Sequence, residues 1–377
     1  MKTFAKIGFG CLAVVILAGA ALLGVVWLIR GASDLGAQAE RETAVANLTE
    51  ADYLKDPQSG YARLSEDEKK IYAMFKKAAD DYNPRVSVSG LGLTREAMDS
   101  RVWPAFFKDN PDVFWISAYS YEYDGSTDII ESVQFVYTRD KEQRDREQAA
   151  IDARVAEIKA LIPENADTYT KVKIVHDAIV SSTHYAVSPD DQNIVSVLVN
   201  GQSVCAGYSK TMAYILKDLG VFCATIDGTA VGRGPHEWNI VKIDDAYYYI
   251  DATWDDPEFI DGTTSKDYIE HTYLNITTDE LLKNHVIEET LPDPAVCTAV
   301  RDNYFIREGK YFDETTIGGF STGVDQAYLS GAGSYEAKFS DPALIPLALE
   351  SAVNGVVGYS GLRYLTNEDM GVVTVLF

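Results

Sequence analysis

Apolar and polar residues follow different patterns in successive segments of this 377-residue chain. From Ile7 to Ile29 no residue carries a charge, and this run is long enough for a helix to cross a hydrocarbon layer of about 30 Å. The apolar part of a cleaved signal peptide is usually only about 7–15 residues long, so residues 1–31 are predicted to be an uncleaved transmembrane anchor. Lys2 and Lys6 precede the run, which predicts a cytoplasmic N terminus and an extracytoplasmic body.

The next segments change from polar to amphipathic. Residues 32–60 lack a sustained apolar face and are predicted to form a linker. A helix is expected to begin after Ser65, because Glu68 stands three positions later, as in a capping box. A second short helix follows Thr94, and two runs of strand-forming residues come after it, "VFWISAYSYEYD" and "IESVQFVYT". Together these elements predict a small N-terminal α+β domain over residues 61–138.

Residues 139–294 are predicted to form a second, larger domain. Apolar residues recur at helical spacing after Arg139, in "TYTKVKIVHDAIVSSTHY", and in the segment from Cys205 to a C-cap at Gly220. Three strand-like runs follow, "VFCATID", "HEWNIVKI" and "YYYIDATW". The last two are joined by a short turn at Asp244–Ala246, which predicts an antiparallel hairpin. The domain is therefore expected to combine helices with an antiparallel sheet.

The pattern changes again in residues 295–377, which are predicted to form a small C-terminal α+β domain. The segment "NYFIREGKYF" is expected to form a hairpin around Glu308-Gly309. The runs "SYEAKF", "DPALIPLALESAV", "GYSGLRYL" and "GVVTVLF" predict a β-α-β-β arrangement. Cysteines, histidines and paired acids do not cluster in this segment, so no chemistry is assigned to it.

Composition limits the possible binding partners and the possible disulfides. The chain has 33 basic and 57 acidic residues, a formal net charge of −24, which disfavours binding to nucleic acid. One of its four cysteines, Cys11, lies in the predicted anchor. The other three, Cys205, Cys223 and Cys297, cannot all pair with one another, so one thiol stays free or bridges to another chain. A disulfide between Cys223 and Cys297 is one option, which the spacing does not demand.

Cys205 stands where a nucleophilic cysteine would be placed. It lies in the first turn of a predicted helix, with Ser203 as the candidate N-cap, and a helix N terminus and a nearby imidazolium both lower the pKa of a thiol. His236 opens one strand of the predicted hairpin. Asp251 lies on the returning strand, within about two positions of the residue opposite His236, and can hold one nitrogen of that ring. The three residues are the candidate nucleophile, base and orienting carboxylate.

The motifs around these residues resemble the transglutaminase-like core, a papain-related cysteine fold. The resemblance lies in "CAGY" from Cys205, "HEWN" from His236 and "DATWD" from Asp251, in this order, and it covers about residues 165–260. It implies a papain-like core of a helix plus an antiparallel sheet. It also implies acyl transfer by a Cys-His-Asp triad, in which Cys205 attacks a carboxamide, a thioester forms, and water or an amine takes the acyl group.

The same resemblance implies an oxyanion hole and no cofactor. The backbone N–H of Cys205 is expected to be one oxyanion donor, and Gln202 and Tyr185 are both candidates for the second. No metal is needed for this chemistry, and the sequence has no set of three or four zinc ligands at tight spacing. Trp238 and Trp254 are expected to be core aromatic residues beside the triad.

Structural roles or solvent exposure are expected for the four other histidines. His176 and His184 are eight positions apart on one predicted helix and are expected to be packed or capping residues. His271 and His285 lie in polar stretches and are expected to be exposed.

The sequence therefore predicts an α+β, membrane-anchored, extracytoplasmic cysteine enzyme. Its substrates would be protein or peptide amides, including ones associated with the cell wall, and it would act as an acyltransferase or a hydrolase. The alternative is a catalytically inactive module of the same fold that binds a peptide or a cell-wall polymer. The presence of all three triad residue types argues for the enzyme.

Overall fold

The computed structural model describes residues 52–257, 268–288, 293–355 and 363–377. The predicted transmembrane anchor lies outside these residues, and none of the helices that are described is long and apolar enough to cross a membrane. The last part of the predicted linker is described and begins with a 3₁₀ helix at Asp52–Lys55. Asp56 is buried there and accepts hydrogen bonds from Lys242 (3.0 Å) and Tyr247 (2.7 Å), which attach this segment to the body.

The N-terminal elements combine short helices with a three-stranded sheet. In chain order they are a 3₁₀ helix (Tyr61–Arg63), α1 (Glu66–Asp80), β1 (Arg85–Ser87), helical turns at Arg95–Ala97 and Met98–Val102, α2 (Trp103–Asp109), β2 (Ile116–Asp124) and β3 (Ile129–Tyr137). Ser65 and Glu68 form the predicted capping box of α1, and Thr94 caps the helical turns that precede α2. The strands pair antiparallel in the order β1-β3-β2.

The central part of the chain packs helices against a five-stranded antiparallel sheet. Its elements are α3 (Lys141–Ala160), α4 (Thr168–Ser182), β4 (His184–Tyr185), α5 (Ile194–Leu198), β5 (Gln202–Ser203), α6 (Cys205–Asp218), β6 (Cys223–Ala230), β7 (Gly234–Ile243), β8 (Ala246–Ile250), β9 (Leu274–Ile276), α7 (Thr278–Leu281) and β10 (His285–Ile287). The strand order is β10-β6-β7-β8-β9, and β4 pairs separately with β5 in parallel. α6 lies against β6 and β7.

The β7–β8 hairpin determines where the candidate site residues lie. Its register pairs Ile243 with Ala246, so the turn consists of Asp244 and Asp245 and is one residue shorter than the predicted turn at Asp244–Ala246. The buried amide of Asn239 on β7 donates to the backbone carbonyl of Ser209 in α6 (2.9 Å). This hydrogen bond fixes the helix that begins with Cys205 against the strand that contains His236.

The described C-terminal elements form a separate four-stranded sheet with three α-helices and a 3₁₀ helix. They are α8 (Tyr304–Arg307), β11 (Tyr311–Phe312), α9 (Gly318–Leu329), β12 (Ser334–Phe339), a 3₁₀ helix (Pro342–Leu344), α10 (Ile345–Gly355), β13 (Arg363–Asn367) and β14 (Val372–Leu376). The sheet order is β11-β12-β14-β13. From β12 onward this is the predicted β-α-β-β arrangement.

The predicted hairpin around Glu308-Gly309 is wrong. The side chain of Asn303 accepts a hydrogen bond from the backbone N–H of Phe305 (3.1 Å) and so starts the short helix α8. Gly309 follows with a φ of 66°, and Tyr311 then pairs in parallel with Lys338 of β12. The helix cap and the distant strand therefore determine this segment, and both outweigh its local turn signal.

Two apolar clusters hold the described residues together. The larger one joins the N-terminal unit to the central sheet and includes fully buried residues from both, among them Phe106 and Trp238. The smaller one belongs to the C-terminal sheet and helices, with Phe320 and Val373 at its centre. The protein is thus a mixed α+β fold in which the central sheet and α6 carry the candidate site.

Candidate active site

Cys205 is the first residue of α6 and is partly exposed. The N-cap is Val204, which makes no side-chain capping bond, and the prediction that Ser203 caps the helix is wrong. The reason is that Ser203 is buried in the preceding loop, where its hydroxyl donates to the carbonyl of Asp191 (3.0 Å) and lies 2.7 Å from the hydroxyl of Ser196. The backbone N–H groups of the first turn of α6 are therefore not capped by a side chain.

The rest of the "CAGY" motif anchors this helix end. A Cβ atom on Gly207 would overlap the hydroxyl oxygen of Ser203, so a glycine permits the close packing of the first turn on β5. The hydroxyl of Tyr208 lies 2.7 Å from a carboxylate oxygen of Asp256, which belongs to the "DATWDD" segment. The helix that presents the thiol and the segment that contains Asp251 are thus tied to each other.

His236 and Asp251 are brought together by the hairpin register. Asn239 pairs with Ile250, so one further step along both strands places Asp251 across from Trp238, two positions from His236. Nε2 of His236 lies 2.6 Å from Oδ2 of Asp251, and both side chains are buried. The structure therefore confirms the cross-strand placement of these two residues that the turn position predicts.

The ionisation of this pair follows from its contacts. Burial lowers the pKa of His236, but the charge and hydrogen bond of Asp251 raise it, and a hydrogen bond with Cys205 raises it further, to about 10. Burial alone would raise the pKa of Asp251, but the charges and hydrogen bonds of His236 and His285 hold it well below its usual range. At neutral pH the ring is an imidazolium that contacts both a carboxylate and the thiol, and a nearby imidazolium stabilises a thiolate.

A second histidine shares the same carboxylate. Nε2 of His285 lies 3.0 Å from Oδ2 of Asp251, and its Nδ1 lies 2.7 Å from Oδ1 of Asn284. We call His236, Asp251 and His285 the first histidine cluster. The other oxygen of Asp251 accepts the backbone N–H groups of Thr253 (3.0 Å) and Trp254 (3.2 Å), so both carboxylate oxygens are held.

Aromatic side chains enclose this cluster, as predicted. The ring of Trp238 lies 5.9 Å from that of His236, and the ring of Trp254 lies 6.2 Å from it. Trp238 is fully buried and Trp254 nearly so. Together they help to bury the imidazole of His236, whose side chain is only 4% exposed.

The two candidate oxyanion donors lie on the short parallel pair of β4 and β5. Tyr185 pairs with Ser203, and Gln202 pairs with His184. Burial is the main cause that raises the pKa of Tyr185 to about 12, and electrostatic interactions with Cys205 and Asp251 raise it further, so the hydroxyl keeps its proton at neutral pH. Gln202 is exposed.

The match to a known family covers this region. Residues 157–252 match the family model of the transglutaminase-like superfamily. The protein contains a transglutaminase-like core. The matched residues include all of α6, β6, β7 and β8, together with Cys205, His236 and Asp251. No curated protein sequence matches the chain significantly.

Solved structures resemble parts of the chain. A TGase crystal structure is 16% identical with a TM-score of 0.28, over 40% of this chain and 46% of that chain. A provisionally assigned protease from Parabacteroides distasonis is 13% identical with a TM-score of 0.22, over 35% of each chain. A provisionally assigned cysteine protease from Cytophaga hutchinsonii is 12% identical with a TM-score of 0.25, over 50% of this chain and 80% of that chain. The chain thus spans less than half of the TGase and of the Parabacteroides protein.

The other two thiols in the described residues differ from Cys205. Cys223 and Cys297 are free rather than joined by a disulfide. Burial raises the pKa of the Cys223 thiol far above its usual range and that of the Cys297 thiol to about 12. Both thiols therefore stay protonated at neutral pH and behave as apolar packing groups.

A second cluster, which the sequence does not reveal, joins α4 to the segment before β9. Nδ1 of His176 and Nε2 of His271 each lie 3.0 Å from Oδ1 of Asp177, and we call these residues the second histidine cluster. His176 is buried, as predicted, but the exposure predicted for His271 and His285 is wrong. His271 is covered by Tyr304, whose ring stacks on it at 3.9 Å.

The remaining predictions about histidines also need correction. His184 does not lie on a helix, because α4 ends at Ser182, and it is an exposed residue of β4. Oε2 of Glu336 in the C-terminal sheet lies 2.6 Å from Nδ1 of His271, so this sheet, for which the sequence predicts no chemistry, contacts the cluster. The weak sequence signal for the cluster is the adjacent His176-Asp177 pair on the buried face of α4.

Proposed function

We propose that this protein is a cysteine enzyme that transfers or hydrolyses acyl groups of protein or peptide amides through a thioester. Cys205 is the nucleophile, His236 the acid and base, and Asp251 the group that orients and charges the imidazole. The observation that supports this most strongly is the geometry of His236: its Nε2 is 2.6 Å from Asp251, and the same ring hydrogen-bonds a partly exposed thiol at a helix N terminus.

The reaction follows from the charges of these groups. The Cys205 thiolate attacks the carbonyl carbon of the amide, and the electron pair of the C=O bond moves to oxygen. When this oxyanion collapses, the C–N bond breaks and the leaving nitrogen takes the proton of the His236 imidazolium. Water or a primary amine then attacks the thioester, His236 accepts its proton, and the C–S bond breaks to restore the thiolate.

Two donors face the carbonyl oxygen in this proposal. The N–H of Cys205 is in the first turn of α6 and so has no acceptor within its own helix. The hydroxyl of Tyr185 is the second donor, because it is protonated and lies within electrostatic reach of Cys205. Loss of one oxyanion donor costs about 10²–10³-fold in kcat, so Tyr185→Phe is expected to lower turnover by about that factor.

We propose that the reaction takes place outside the cytoplasm. The uncharged run from Ile7 to Ile29 and the lysines before it support a membrane anchor with the body on the outer face. The net charge of −24 keeps such a body soluble and repels anionic polymers. Protein and peptide amides of the cell envelope are therefore the proposed substrates.

The experiment uses the detergent-solubilised full chain and a mixture of glutamine- and lysine-containing peptides. Mass spectrometry measures glutamine deamidation and backbone cleavage, and a fluorescent primary amine reports acyl transfer. We expect at least one of these products from the native chain and from the matched control Cys223→Ala, and none from Cys205→Ser. Products that persist in Cys205→Ser would overturn the assignment of the nucleophile.

The alternative, an inactive binding module, predicts a different result. In that case the native chain gives no product, and Cys205 reacts with iodoacetamide no faster than a cysteine in an unfolded peptide. A peptide that binds with equal affinity to the native chain and to His236→Ala would then identify the binding function.

A further inference from the structure

The second histidine cluster brings three ligand atoms to one point. Nδ1 of His176 and Nε2 of His271 are each 3.0 Å from Oδ1 of Asp177, and the three atoms all lie within 4.8 Å of one another. Two of these residues are adjacent on α4, and the third comes from the segment that leads into β9. The three groups are not used in the proposed acyl transfer.

The second polar atom of each of these side chains also has a partner. Nε2 of His176 lies 3.1 Å from Oδ2 of Asp255, and Nδ1 of His271 lies 2.6 Å from Oε2 of Glu336. The remaining oxygen of Asp177, Oδ2, is paired with Lys173 at 2.6 Å. Histidines that bind a metal almost always donate their outer N–H to a carboxylate or carbonyl, which fixes the tautomer and the direction of the inner nitrogen.

The spacing and the donor types fit zinc. With bonds of about 2.0–2.1 Å in tetrahedral geometry, two zinc ligands are about 3.3 Å apart, close to the 3.0 Å between Asp177 and each histidine. Two imidazoles and one carboxylate suit zinc better than calcium or magnesium, which prefer oxygen ligands. The Asp177 side chain is 25% exposed, which gives a fourth ligand such as water a route to the site.

We propose that His176, Asp177 and His271 form a zinc site that joins the transglutaminase-like core to the C-terminal sheet. The ion is bound by Nδ1 of His176, Oδ1 of Asp177 and Nε2 of His271, and it takes the place of the protons that the two nitrogens would otherwise direct at Asp177. The outer N–H groups stay with Asp255 and Glu336. Because Glu336 belongs to β12, the zinc site fixes the position of the C-terminal sheet.

This proposal reverses the expectation from the sequence that no metal site is present. That expectation required ligands at tight spacing, whereas 94 positions separate Asp177 from His271. The first histidine cluster also brings three ligand atoms together. We do not assign zinc to it, because His236 hydrogen-bonds the thiol of Cys205 and is needed there as an acid and base.

The test is a titration of the full chain with zinc chloride in competition with a chromophoric chelator. It is done in the Cys205→Ser background, so that the thiol cannot bind the ion. We expect one zinc per chain, a loss of affinity of at least about 100-fold in His176→Gln and in His271→Gln, and no change in the matched control His285→Gln. Glu336→Gln removes only the outer acceptor and is expected to weaken binding by about 10–100-fold.

A measurement on the unmutated chain keeps the proposal testable if the variants fail to fold. Zinc K-edge absorption of the loaded protein should show nitrogen and oxygen neighbours at about 2.0–2.1 Å, two of them imidazoles, and no sulfur. The proposal is overturned by sulfur scattering, by zinc that is lost in His285→Gln but kept in His271→Gln, or by less than about one tenth of a zinc per chain. The last result would mean that hydrogen bonds alone hold the cluster.

Discussion

Both histidine clusters contain two imidazoles that share one carboxylate oxygen, yet their surroundings differ. In the first, the ring of His236 contacts Asp251 on one side and the partly exposed thiol of Cys205 on the other. In the second, the far sides of both rings are closed by buried carboxylates, Asp255 behind His176 and Glu336 behind His271. The partner of the remaining ring nitrogen therefore distinguishes a histidine that can move a proton from one whose direction is fixed.

The carboxylates of the two clusters are also held differently. The Asp251 oxygen that does not contact the histidines accepts backbone N–H groups inside the fold. The corresponding oxygen of Asp177 pairs with Lys173 near the surface. The pKa of each carboxyl lies well below its usual range because two imidazoles contact it. The first carboxylate is therefore fully buried, whereas the second is partly exposed and accessible to an ion from solution.

The largest expected difference is between Asp251→Asn and Asp177→Asn. In the first cluster an asparagine cannot stabilise the imidazolium or hold its tautomer, so amide turnover should fall by about 10³–10⁴-fold. In the second cluster the same change should leave the turnover of folded protein within about threefold. Turnover is measured with any peptide that the native chain modifies, after correction for the folded fraction. Equal losses in both variants would contradict the separate roles of the clusters.

Substitutions of His285 test whether the second hydrogen-bond donor to Asp251 affects turnover. His285→Phe removes an N–H that lies 3.0 Å from Oδ2, and we expect about tenfold lower turnover, since a hydrogen bond to a charged group contributes about 1.5–3 kcal/mol. His285→Gln keeps a donor and should stay within about threefold of the native chain. Turnover that falls equally in both variants would point to packing alone as the role of this residue.

The pH dependence of stability tests the charge of the first cluster. The pKa of His236 is raised from 6.5 to about 10, so its contribution to stability is fully present below about pH 6.5 and is lost as the pH rises to about 10. The pKa of Asp251 is lowered, so its contribution is present above about pH 4 and is lost as the pH falls further.

Urea unfolding in the presence of a chelator measures this effect. The free energy of unfolding of the native chain should decrease between pH 7 and pH 10, and His236→Gln should show a flatter profile over the same range. Parallel profiles for the two proteins would show that His236 is not charged in the folded state.

The smallest change in stability is expected from loss of the ion pair between Lys173 and Asp177 at the surface of the second cluster. Lys173 and Asp177 are each about one quarter exposed, so Lys173→Met should lower the free energy of unfolding by less than about 1 kcal/mol. The matched control is Lys159→Met, which removes an exposed pair with Asp218. A loss of several kcal/mol for Lys173 alone would mean that the lysine, rather than an ion, compensates the buried carboxylates.

The first cluster could be predicted in part because most of its contacts are local. A helix start, a turn of known length and strand alternation place Cys205, His236 and Asp251 near one another within 47 residues of sequence. The same local rules predict the capping box at Ser65 and the end of α6 at Gly220. Short-range patterns determine these features, so a single sequence contains enough information for them.

The second cluster depends on contacts that no local pattern encodes. His271 meets Asp177 across 94 positions and Glu336 across 65. The one member of the first cluster that the sequence does not indicate, His285, is likewise placed by the pairing of β10 with β6. The polar stretches around His271 and His285 suggest exposure, but tertiary packing buries both. The sequence does not indicate the short helix at Tyr304–Arg307 for a related reason, since the cap at Asn303 and the pairing of β11 with β12 override a turn signal.

The central claim, that His236 activates Cys205, is tested most directly by the rate of alkylation of this thiol. The second-order rate constant with iodoacetamide at pH 7 is measured for Cys205 in the full chain and for a cysteine in an unfolded reference peptide. We expect Cys205 to react at least about tenfold faster, to fall to the reference rate in His236→Ala, and to keep its rate in His271→Gln. A native rate at or below the reference, or one unchanged in His236→Ala, would contradict the account.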